Sequence, residues 1–516
     1  MIRGEFMKRT YLLAIFALLT VLILSACSGN NPPVTDQPDT QMTTDAPVTD
    51  APPAEEKAEI EEGVYYSFRT EDLFCMGGET FGTIEGESVG IRGYRKNLDQ
   101  LWSFTKLDDG TYTVKNSTSG LYLSVRLKSE KDGSVLVLSP ENANHAQKWE
   151  VIKSGNGVVL RSAETNAYIA IKEPDAESVA VQRLDKAEAT VWQMKKELDA
   201  GTELPEILRL TGDYMAPASC PEIIKYNGVY YNINMTGGMK IKTSTDLINW
   251  KNVGTVFTTK PSWIKAEIDS DSIWAPGFYM VGGKLRIYYC ASSSGSRNSL
   301  IGLVDCNNPR GGYVDRGMVI RSYDKGSSDA TPYNCIDPNI FVDDDGQTYL
   351  IWGSYAEGIY MRRIDENTGK FIDGDTDMWK LADAPDGMEA PYLVKRGDYY
   401  YLFVAMGNMS KNENYHWAVG RSESLFGPYV DKKGRSMLEG YTSPLTEYKP
   451  GVQATAHAQP FLDDDGTWYM VSEMWKDRSD PDKKIQLHIS KIVWNDAGWP
   501  VTAMSTNLVD EILGKK

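Results

Sequence analysis

The stretch DPNIFVDDDGQTYLIWG, residues 337–353, holds the pattern that decides the fold: a proline, a short apolar strand, a turn with glycine, and a second aromatic strand. Two strands joined by such a turn are typical of a β-hairpin. After residue 205 the pattern occurs five times, and its prolines and turn glycines are Pro221 and Gly228, Pro276 and Gly283, Pro338 and Gly346, Pro391 and Gly397, and Pro460 and Gly466. Five such repeats predict a five-bladed β-propeller over residues 205–512.

Two of the predicted turns are DDDG runs, at residues 343–346 and 463–466. Consecutive carboxylates invite comparison with calcium loops, but the later ligand positions and the closing Glu of an EF-hand loop are missing. We therefore interpret both runs as hairpin turns.

A different repeat precedes the propeller, over residues 63–197. Three β-rich units end in DQLWSF, AQKWEV and ATVWQM, with the tryptophans Trp102, Trp149 and Trp192. One tryptophan per unit at similar spacing is what a threefold core requires, so we expect these side chains to be buried. The whole chain is thus predicted to be all-β, a β-trefoil followed by the propeller.

The Gln-x-Trp pattern of the first two units resembles that of the ricin B-type β-trefoil lectins, although the third unit has Thr190 in place of Gln. In those lectins an Asp inside each repeat usually holds the sugar. This chain has Ser124 and Ala170 near that position, so the sequence leaves sugar binding by the trefoil open.

The first 62 residues have the composition of a targeting segment and a linker. Lys8 and Arg9 precede an apolar run that ends in LSAC at Cys27, an order typical of a secretory signal. The LSAC ending resembles a bacterial lipobox, which implies a lipoprotein signal peptide over residues 1–27 and lipid on Cys27 that anchors the protein to the membrane. A plain signal peptide or an uncleaved anchor is the alternative. Residues 28–62, rich in Pro, Thr, Asp and Glu, are predicted to be a disordered linker.

Charge and cysteine usage exclude other classes. The formal net charge is −17 at pH 7, so the chain has no basic excess with which to bind nucleic acid. The five cysteines after Cys27 are odd in number and match no zinc spacing, so we expect no disulfide framework. We also expect no organic cofactor.

Two carboxylates stand where the inner strands of a propeller open to its central channel. Asp337 precedes Pro338, and Glu389 lies two residues before Pro391. Glycoside hydrolysis needs an acid that protonates the leaving oxygen and, for inversion, a base that activates water. A neighbouring carboxylate raises the pKa of such an acid toward the working pH. A solvated loop position is the alternative for either residue alone.

Four segments carry a specific resemblance, and they are WAPGFYMVGGKLRIYYC, YNCIDPNIFVDDDGQTYLIWGSY, MEAPYLVKRGDYYYLFVAM and VGRSESLFGPYVDKKGRSML. Over about residues 210–500 the chain resembles glycoside hydrolase family 43, most of all its endo-α-1,5-L-arabinanases. The resemblance implies inverting hydrolysis of α-L-arabinofuranosyl linkages in arabinan or a related plant polysaccharide, outside the bacterial cell. It implies that Glu389 is the general acid, that Asp337 orients it and tunes its pKa, and that Trp274 stacks on the sugar.

The same resemblance places His457, in ATAHAQP, near a metal in the propeller channel, which is often calcium. A structural role for a single histidine is the alternative. The other three histidines, His145, His416 and His488, are scattered along the chain, so no zinc cluster is expected.

The sequence departs from the family at the predicted base. The His-Asp-Pro motif of the first blade stands here as Ser219-Cys220-Pro221. A thiol has a pKa near 8.5, so it is mostly protonated at neutral pH and is a poor base. Glu222, two residues further along the strand, is a candidate surrogate base or a structural acceptor, and Asp213 is a second candidate. Gly277 stands where many family members have Asp.

Three functions follow from these residues. The retained pair Glu389 and Asp337 favours an extracellular glycosidase, whereas Cys220 favours a cell-surface polysaccharide-binding protein with an impaired site. An enzyme with a thiol nucleophile is disfavoured because no histidine lies near Cys220 in the sequence. We expect the hydrolase; whether it acts endo or exo does not follow from the sequence.

Overall fold

The computed structural model describes residues 55–78, 85–173, 178–212, 218–322, 333–355, 357–384, 387–409, 414–447, 452–453, 455–475 and 485–515. The predicted lipid site Cys27 and the candidate base Asp213 lie outside these residues. Within the described part of the chain, no helix combines the length and the apolar character needed to cross a lipid bilayer.

The N-terminal domain is built from twelve β-strands in one sheet system. They are β1 (Tyr65–Arg69), β2 (Phe74–Gly78), β3 (Val89–Gly93), β4 (Trp102–Lys106), β5 (Tyr112–Asn116), β6 (Tyr122–Val125), β7 (Leu136–Ser139), β8 (Trp149–Ser154), β9 (Gly157–Ser162), β10 (Tyr168–Ile171), β11 (Ala180–Arg183) and β12 (Gln193–Leu198). The last strand, β12, pairs antiparallel with β1, so the domain closes on itself as a β-trefoil.

The three repeat tryptophans form the core of this domain, as predicted. Trp102 and Trp192 are fully buried and Trp149 is almost so. The indole of Trp102 donates to the carbonyl of Met76 at 3.1 Å, and that of Trp149 donates to Leu123 at 3.0 Å. The first two tryptophans thus make the same kind of hydrogen bond, from the indole to a backbone carbonyl of their own unit of the repeat.

The positions that hold sugar in ricin-type lectins are internal in this domain. Ser124 is fully buried and its hydroxyl contacts that of Ser139 at 2.7 Å, while Ala170 is also buried. Neither side chain reaches the surface, so any sugar binding by this trefoil has to use other residues.

The domain also takes in residues 55–62, which composition assigns to the linker. The amide of Ala58 donates to the carbonyl of Val151 at 2.8 Å, and Ile60 packs into the hydrophobic core. This one buried isoleucine and the added backbone bonds order a segment whose polar composition alone predicts disorder.

The C-terminal domain is a five-bladed β-propeller, as predicted. Blade one holds β13 (Thr211–Gly212), β14 (Glu222–Tyr226), β15 (Val229–Asn234), β16 (Lys240–Ser244) and β17 (Asn249–Thr255), and helix α1 (Ser262–Ile268) follows it. Blade two holds β18 (Ile273–Val281), β19 (Lys284–Ala291), β20 (Leu300–Cys306) and β21 (Val314–Arg321). Blade three holds β22 (Asn339–Val342), β23 (Thr348–Ser354), β24 (Gly358–Asp365), β25 (Lys370–Phe371) and β26 (Trp379–Ala382).

Blade four holds β27 (Met388–Arg396), β28 (Tyr399–Met406), β29 (His416–Ser422) and β30 (Ser443–Pro444). Blade five holds β31 (Gln459–Leu462), β32 (Trp468–Met474), β33 (Gln486–Trp494) and β34 (Pro500–Val501), and helix α2 (Leu508–Ile512) follows it. Every predicted turn glycine lies between the first two strands of its blade. The five first strands, β14, β18, β22, β27 and β31, contact one another in a closed ring around the channel.

The DDDG run of blade five closes this ring. Asp463 is 7% exposed, and its two carboxylate oxygens accept hydrogen bonds from Lys225 Nζ and from the Tyr230 hydroxyl, both at 2.6 Å. Both donors belong to blade one. The interpretation of the run as a hairpin turn is confirmed, and its first Asp also joins the last blade to the first.

The other DDDG run makes the same kind of contact between blades three and four. The Tyr400 hydroxyl donates to Asp343 at 3.0 Å, and Lys395 Nζ donates to Asp344 at 2.6 Å. In both cases the Lys lies five residues before the Tyr on neighbouring strands of one hairpin. The repeated Asp run is therefore an inter-blade contact that carries its own lysine and tyrosine partners.

Main-chain pairing reinforces the closure, because residues 206–208 run beside β33. Leu208 N donates to Ile489 O at 2.8 Å, and Lys491 N donates to Glu206 O at 2.7 Å. The segment that enters the propeller therefore adds an edge to its last blade, which holds the two ends of the domain together.

The trefoil packs on the end of the propeller through helix α2. Val509 N donates to Lys96 O at 3.1 Å, and Lys96 Nζ forms an ion pair with Asp510 at 2.6 Å. Beside these bonds Leu98 and Leu508 share one buried apolar cluster. The two domains thus have a common core rather than a flexible junction.

We expect Tyr230→Phe to destabilise the propeller by about 1–3 kcal/mol, because it leaves a buried carboxylate oxygen of Asp463 without its donor. Thermal unfolding followed by circular dichroism measures the change. Tyr441→Phe, at an exposed tyrosine, is the matched control and should alter stability by less than about 0.5 kcal/mol. Equal effects of the two substitutions would show that the Asp463 contact does not hold the ring.

Candidate active site

Four residues at one mouth of the channel have a left-handed backbone. Cys220, Asp337 and Ala390, the residues before the prolines of blades one, three and four, have φ angles of 49°, 55° and 51°, and His457 of blade five has 46°. Residues with a Cβ seldom adopt this left-handed conformation, and such strain clusters at functional sites. Asp337, Ala390 and His457 line the same small cavity of about 20 Å³, enough for a water molecule.

Glu389 and Asp337 form a coupled carboxyl pair at this mouth. The Tyr415 hydroxyl donates to Glu389 Oε1 at 2.8 Å, and Ala390 N donates to Asp337 Oδ2 at 3.0 Å. Burial and then the charge of Asp337 raise the pKa of Glu389. Burial also raises the pKa of Asp337, but its bond from Ala390 N favours the ionised form. Both pKa values are raised to about 7. Because the charge of Asp337 opposes ionisation of Glu389, the pair suits a general acid that keeps its proton toward neutral pH.

Cys220 is buried beside a methionine and a histidine. Its Sγ is 3.7 Å from Met235 Sδ and 3.6 Å from His457 Nδ1, and the residue is 7% exposed. Burial, followed by the charges of Glu473 and Asp337, raises the pKa of this thiol well above its ordinary value. The thiol is neutral at physiological pH, so it does not take over the role of a carboxylate base.

The structure corrects one premise of the sequence analysis, which found no histidine near Cys220. Ring closure brings His457 of blade five against Cys220 of blade one, although 237 positions separate them. Burial lowers the pKa of His457, so both groups are neutral rather than a thiolate paired with an imidazolium. The contact exists, but the charge state still disfavours a thiol nucleophile.

Glu473 is a site residue that the sequence analysis missed. This carboxylate is 1% exposed, and its Oε2 accepts hydrogen bonds from Cys220 N at 3.0 Å and from the Ser219 hydroxyl at 2.9 Å. It lies on β32, the second strand of blade five, and not beside a blade proline, so the repeat pattern gives no signal for it. Glu473 holds the turn that presents Cys220 to the mouth.

Glu222 lies in the channel below Cys220, where burial raises its pKa to about 8. The Tyr279 hydroxyl is 2.9 Å from Glu222 Oε1 and 3.0 Å from Pro338 O. Because this hydroxyl has one hydrogen, a protonated Glu222 satisfies both contacts. A carboxyl group that is mostly protonated at neutral pH is a weak base, so the geometry favours the structural alternative for Glu222.

Gly277 supplies the space that the Glu222 carboxyl occupies. A Cβ at position 277 would lie 2.3 Å from Glu222 Oε2 and 2.4 Å from the Tyr279 hydroxyl, far inside contact distance. An Asp at this position, as in many family members, is incompatible with the present pair. The absence of a side chain at position 277 and the placement of the Glu222 carboxyl are therefore spatially linked.

Trp274 lies in the wall of a pocket near Cys220. It is partly exposed and lines a cavity of about 240 Å³ together with Met235, Lys260 and Ser272. Since Met235 also contacts Cys220, the indole stands beside the position of the missing base. The stacking of Trp274 on a sugar stays a prediction.

The residues around His457 do not form a ligand set for calcium. Calcium takes six to eight oxygen ligands, and among the described residues no group of three or more His, Cys, Asp or Glu side chains is arranged to hold a metal ion. His457 Nδ1 contacts the thiol of Cys220, which is not an oxygen ligand. A channel metal therefore stays a prediction, and no catalytic step is derived from one.

A propeller whose mouth holds two buried carboxyls with raised pKa values has the residues that a glycoside hydrolase needs. Residues 216–500 match the family described as Glycosyl hydrolases family 43, and residues 98–196 match the Ricin-type beta-trefoil lectin domain-like family. The first match takes in more than half of the 516 residues, and the chain belongs to glycosyl hydrolase family 43. It is a glycosidase.

Known proteins resemble the propeller part of the chain. The extracellular endo-alpha-(1->5)-L-arabinanase 1 of Bacillus subtilis is 36% identical over 233 residues, which are 43% of this chain and 69% of that protein. The extracellular exo-alpha-(1->5)-L-arabinofuranosidase of Cellvibrio japonicus is 28% identical over 302 residues, 54% of this chain and 84% of that protein. The structure of an endo-arabinanase from Bacillus licheniformis superposes with a TM-score of 0.51 at 32% identity, over 57% of this chain and 99% of that one.

We expect Asp337→Asn to move the alkaline limb of the pH–activity profile to lower pH. The acid form of Glu389 is the active one, so activity is lost as pH rises through the pKa of Glu389. Removing the charge of Asp337 lowers that pKa, because a like charge no longer opposes ionisation. Initial rates between about pH 5 and 9 measure the limb; an unchanged or raised limb would contradict the pairing of these two carboxyls.

Proposed function

We propose that the protein hydrolyses α-L-arabinofuranosyl linkages of arabinan or a related plant polysaccharide, with inversion, outside the cell. The observation that carries this proposal is the buried pair of Glu389 and Asp337, with raised pKa values, at a propeller mouth near Trp274. The two relatives described above are named for arabinan chemistry and for an extracellular location. An uncharged polysaccharide also suits a chain with a net charge of −17.

The chemistry assigned to this chain's own residues is simple. Trp274 supports the sugar whose anomeric carbon is attacked, and Glu389 gives its proton to the oxygen of the leaving sugar as the carbon–oxygen bond breaks. A water molecule attacks from the opposite face and inverts the configuration. Asp337 stays ionised, keeps Glu389 protonated beforehand, and so sets the pH at which the acid is ready.

The step without an assigned residue is removal of the proton from the attacking water. In the resembled family an Asp does this at position 220, and a general base contributes a factor of about 10² to 10⁴. The neutral Cys220 thiol supplies no such base. We therefore expect turnover by this protein to be slower than that of a family member with the Asp by a factor in that range.

Cys220 also favours a second candidate function, a polysaccharide-binding protein with an impaired site. A propeller mouth with Trp274 and no effective base would hold a sugar chain without cutting it rapidly. The two candidates share the groove and differ only in turnover, so kinetics on a defined substrate separates them.

The first test compares the full-length protein with Glu389→Gln and Cys220→Asp in the release of reducing ends from linear α-1,5-arabinan. We expect measurable turnover by the natural sequence, loss of at least a hundredfold in Glu389→Gln, and a gain of at least tenfold in Cys220→Asp. Asp tolerates a left-handed backbone better than most residues, so it suits the φ of position 220.

The outcomes of this comparison are distinct. A silent natural sequence with an active Cys220→Asp variant would assign the protein to binding. Three folded but silent proteins, judged by unchanged thermal unfolding, would overturn the proposed substrate. Equal rates for Glu389→Gln and the natural sequence would remove Glu389 from the acid role.

The role of Glu222 is checked by Glu222→Gln. The amide reproduces a protonated carboxyl in size and can donate to Tyr279, so we expect kcat at neutral pH to fall less than about fivefold. Steady-state kinetics on the same arabinan gives the answer, with Glu389→Gln as the reference for a lost catalytic group. A loss as large as in that reference would make Glu222 the surrogate base.

We also propose that the mature protein is a lipoprotein held at the outer face of the membrane through Cys27. The support is the LSAC ending after an apolar run with basic residues before it. We expect radioactive palmitate fed to a bacterial expression host to label the natural sequence and not Cys27→Ala. Labelling of both proteins, or of neither, would contradict this attachment.

A further inference from the structure

Tyr355 is a fixed aromatic side chain exposed at the mouth of the channel. It follows the last residue of β23 and is 43% exposed, an unusual position for so large a ring. Its hydroxyl donates to the carbonyl of Gly407. Its ring edge lies over Gly387, where an added Cβ would come within 2.1 Å of Tyr355 Cε1. The ring is thus held from two sides while its outer surface faces solvent.

The two glycines that contact this ring flank the hairpin that carries Glu389, because Gly387 directly precedes β27 and Gly407 directly follows β28. Gly387 lies two residues before Glu389, and Gly407 N donates back to Gly387 O at 3.3 Å. Burial, followed by the charges of Glu389 and Asp337, raises the pKa of Tyr355. No part of the chemistry assigned above uses this side chain.

Tyr355 and Trp274 come from different blades. Trp274 belongs to blade two and lines a pocket together with Met235, which contacts Cys220. Tyr355 follows blade three's second strand and adjoins the strand of Glu389. A sugar chain that crosses the mouth between the two aromatic rings places one of its linkages beside the acid.

We propose that Tyr355 is the platform for the leaving-group sugar, the unit whose oxygen receives the proton of Glu389. This inference rests on the proposed hydrolysis of arabinofuranosyl linkages. The leaving sugar must lie next to the acid that protonates it, and Tyr355 is the exposed aromatic ring beside that acid. A held tyrosine offers an apolar face at little cost in side-chain entropy, which suits the CH-rich face of a sugar.

The hydroxyl of Tyr355 is already used by its bond to Gly407. The proposed contact therefore depends on the ring and not on the phenol oxygen, and Tyr355→Phe should keep more of it than Tyr355→Ala. This difference separates stacking from a hydrogen bond to substrate.

The test compares two substrates that differ only in the leaving group. Hydrolysis of arabinotriose releases a sugar as the leaving group. Hydrolysis of α-L-arabinofuranosyl fluoride releases fluoride, which makes no stacking contact with Tyr355. We expect the ratio of kcat/KM for arabinotriose to kcat/KM for the fluoride to fall about tenfold in Tyr355→Ala, and less than threefold in Tyr355→Phe. Tyr441→Ala, at an exposed tyrosine covered by Arg435, is the control and should leave the ratio unchanged.

Equal losses on both substrates in Tyr355→Ala would overturn the proposal, because a merely structural role affects both alike. A loss confined to the fluoride would also overturn it. Wild-type protein that turns over neither substrate would instead speak against the proposed hydrolysis.

A binding measurement covers that last case without any need for turnover. In the Glu389→Gln background we expect the calorimetric Kd for linear arabinohexaose to rise about tenfold on addition of Tyr355→Ala and to stay within threefold on addition of Tyr355→Phe. An unchanged Kd in the alanine variant, with binding by the background protein intact, would refute the platform. Absence of binding by the background protein would refute the proposed substrate and, with it, the platform for an arabinofuranosyl unit.

Discussion

The closure of the propeller between its last and first blades is the constraint on which the rest of the molecule depends. One buried carboxylate, Asp463, accepts hydrogen bonds from Lys225 and Tyr230 of blade one. The segment before the propeller adds backbone hydrogen bonds to blade five. Contacts between parts of the chain so far apart have a high entropic cost before they form, so several charge-assisted bonds at one seam are needed to hold it. The same seam brings His457 and Glu473 of blade five against Cys220 of blade one. The active-site mouth exists only in the closed ring.

Closure also sustains backbone strain at the mouth. A left-handed residue that is not glycine costs about 1–3 kcal/mol, and such residues persist only where the surroundings over-determine them. Here the supporting bonds are the functional ones: Glu473 accepts from Cys220 N, and Asp337 accepts from Ala390 N. The second bond links the strain to the carboxyl pair, because it favours the ionised form of Asp337 against the effect of burial, and the charge of Asp337 in turn raises the pKa of Glu389.

The sequence predicted the features that depend on local repeats. Five prolines followed by five turn glycines predicted the propeller, and three tryptophans predicted the trefoil core. The blade prolines that closely follow Asp337 and Glu389 predicted that both carboxyls lie at the channel mouth. It failed where residues meet across the ring seam or where burial decides a property. Glu473 and the contact between Cys220 and His457 depend on closure between positions more than two hundred residues apart, and the raised pKa of Glu222 depends on burial beside Tyr279. Residues 55–62 are ordered because Ile60 is buried in the trefoil core, whereas the polar composition of the segment predicts disorder. The predicted channel metal, the lipid on Cys27 and Asp213 stay predictions.

The surroundings of position 220 limit what a restored Asp contributes. Burial, followed by the charges of Glu473 and Asp337, raises the pKa of the Cys220 thiol. Like charges raise the pKa of a carboxyl group as well, so a new Asp there would be a stronger base when ionised but ionised over a narrower range of pH. The gain from one substitution should therefore fall short of the full contribution of a base and should grow with pH until Glu389 loses its proton.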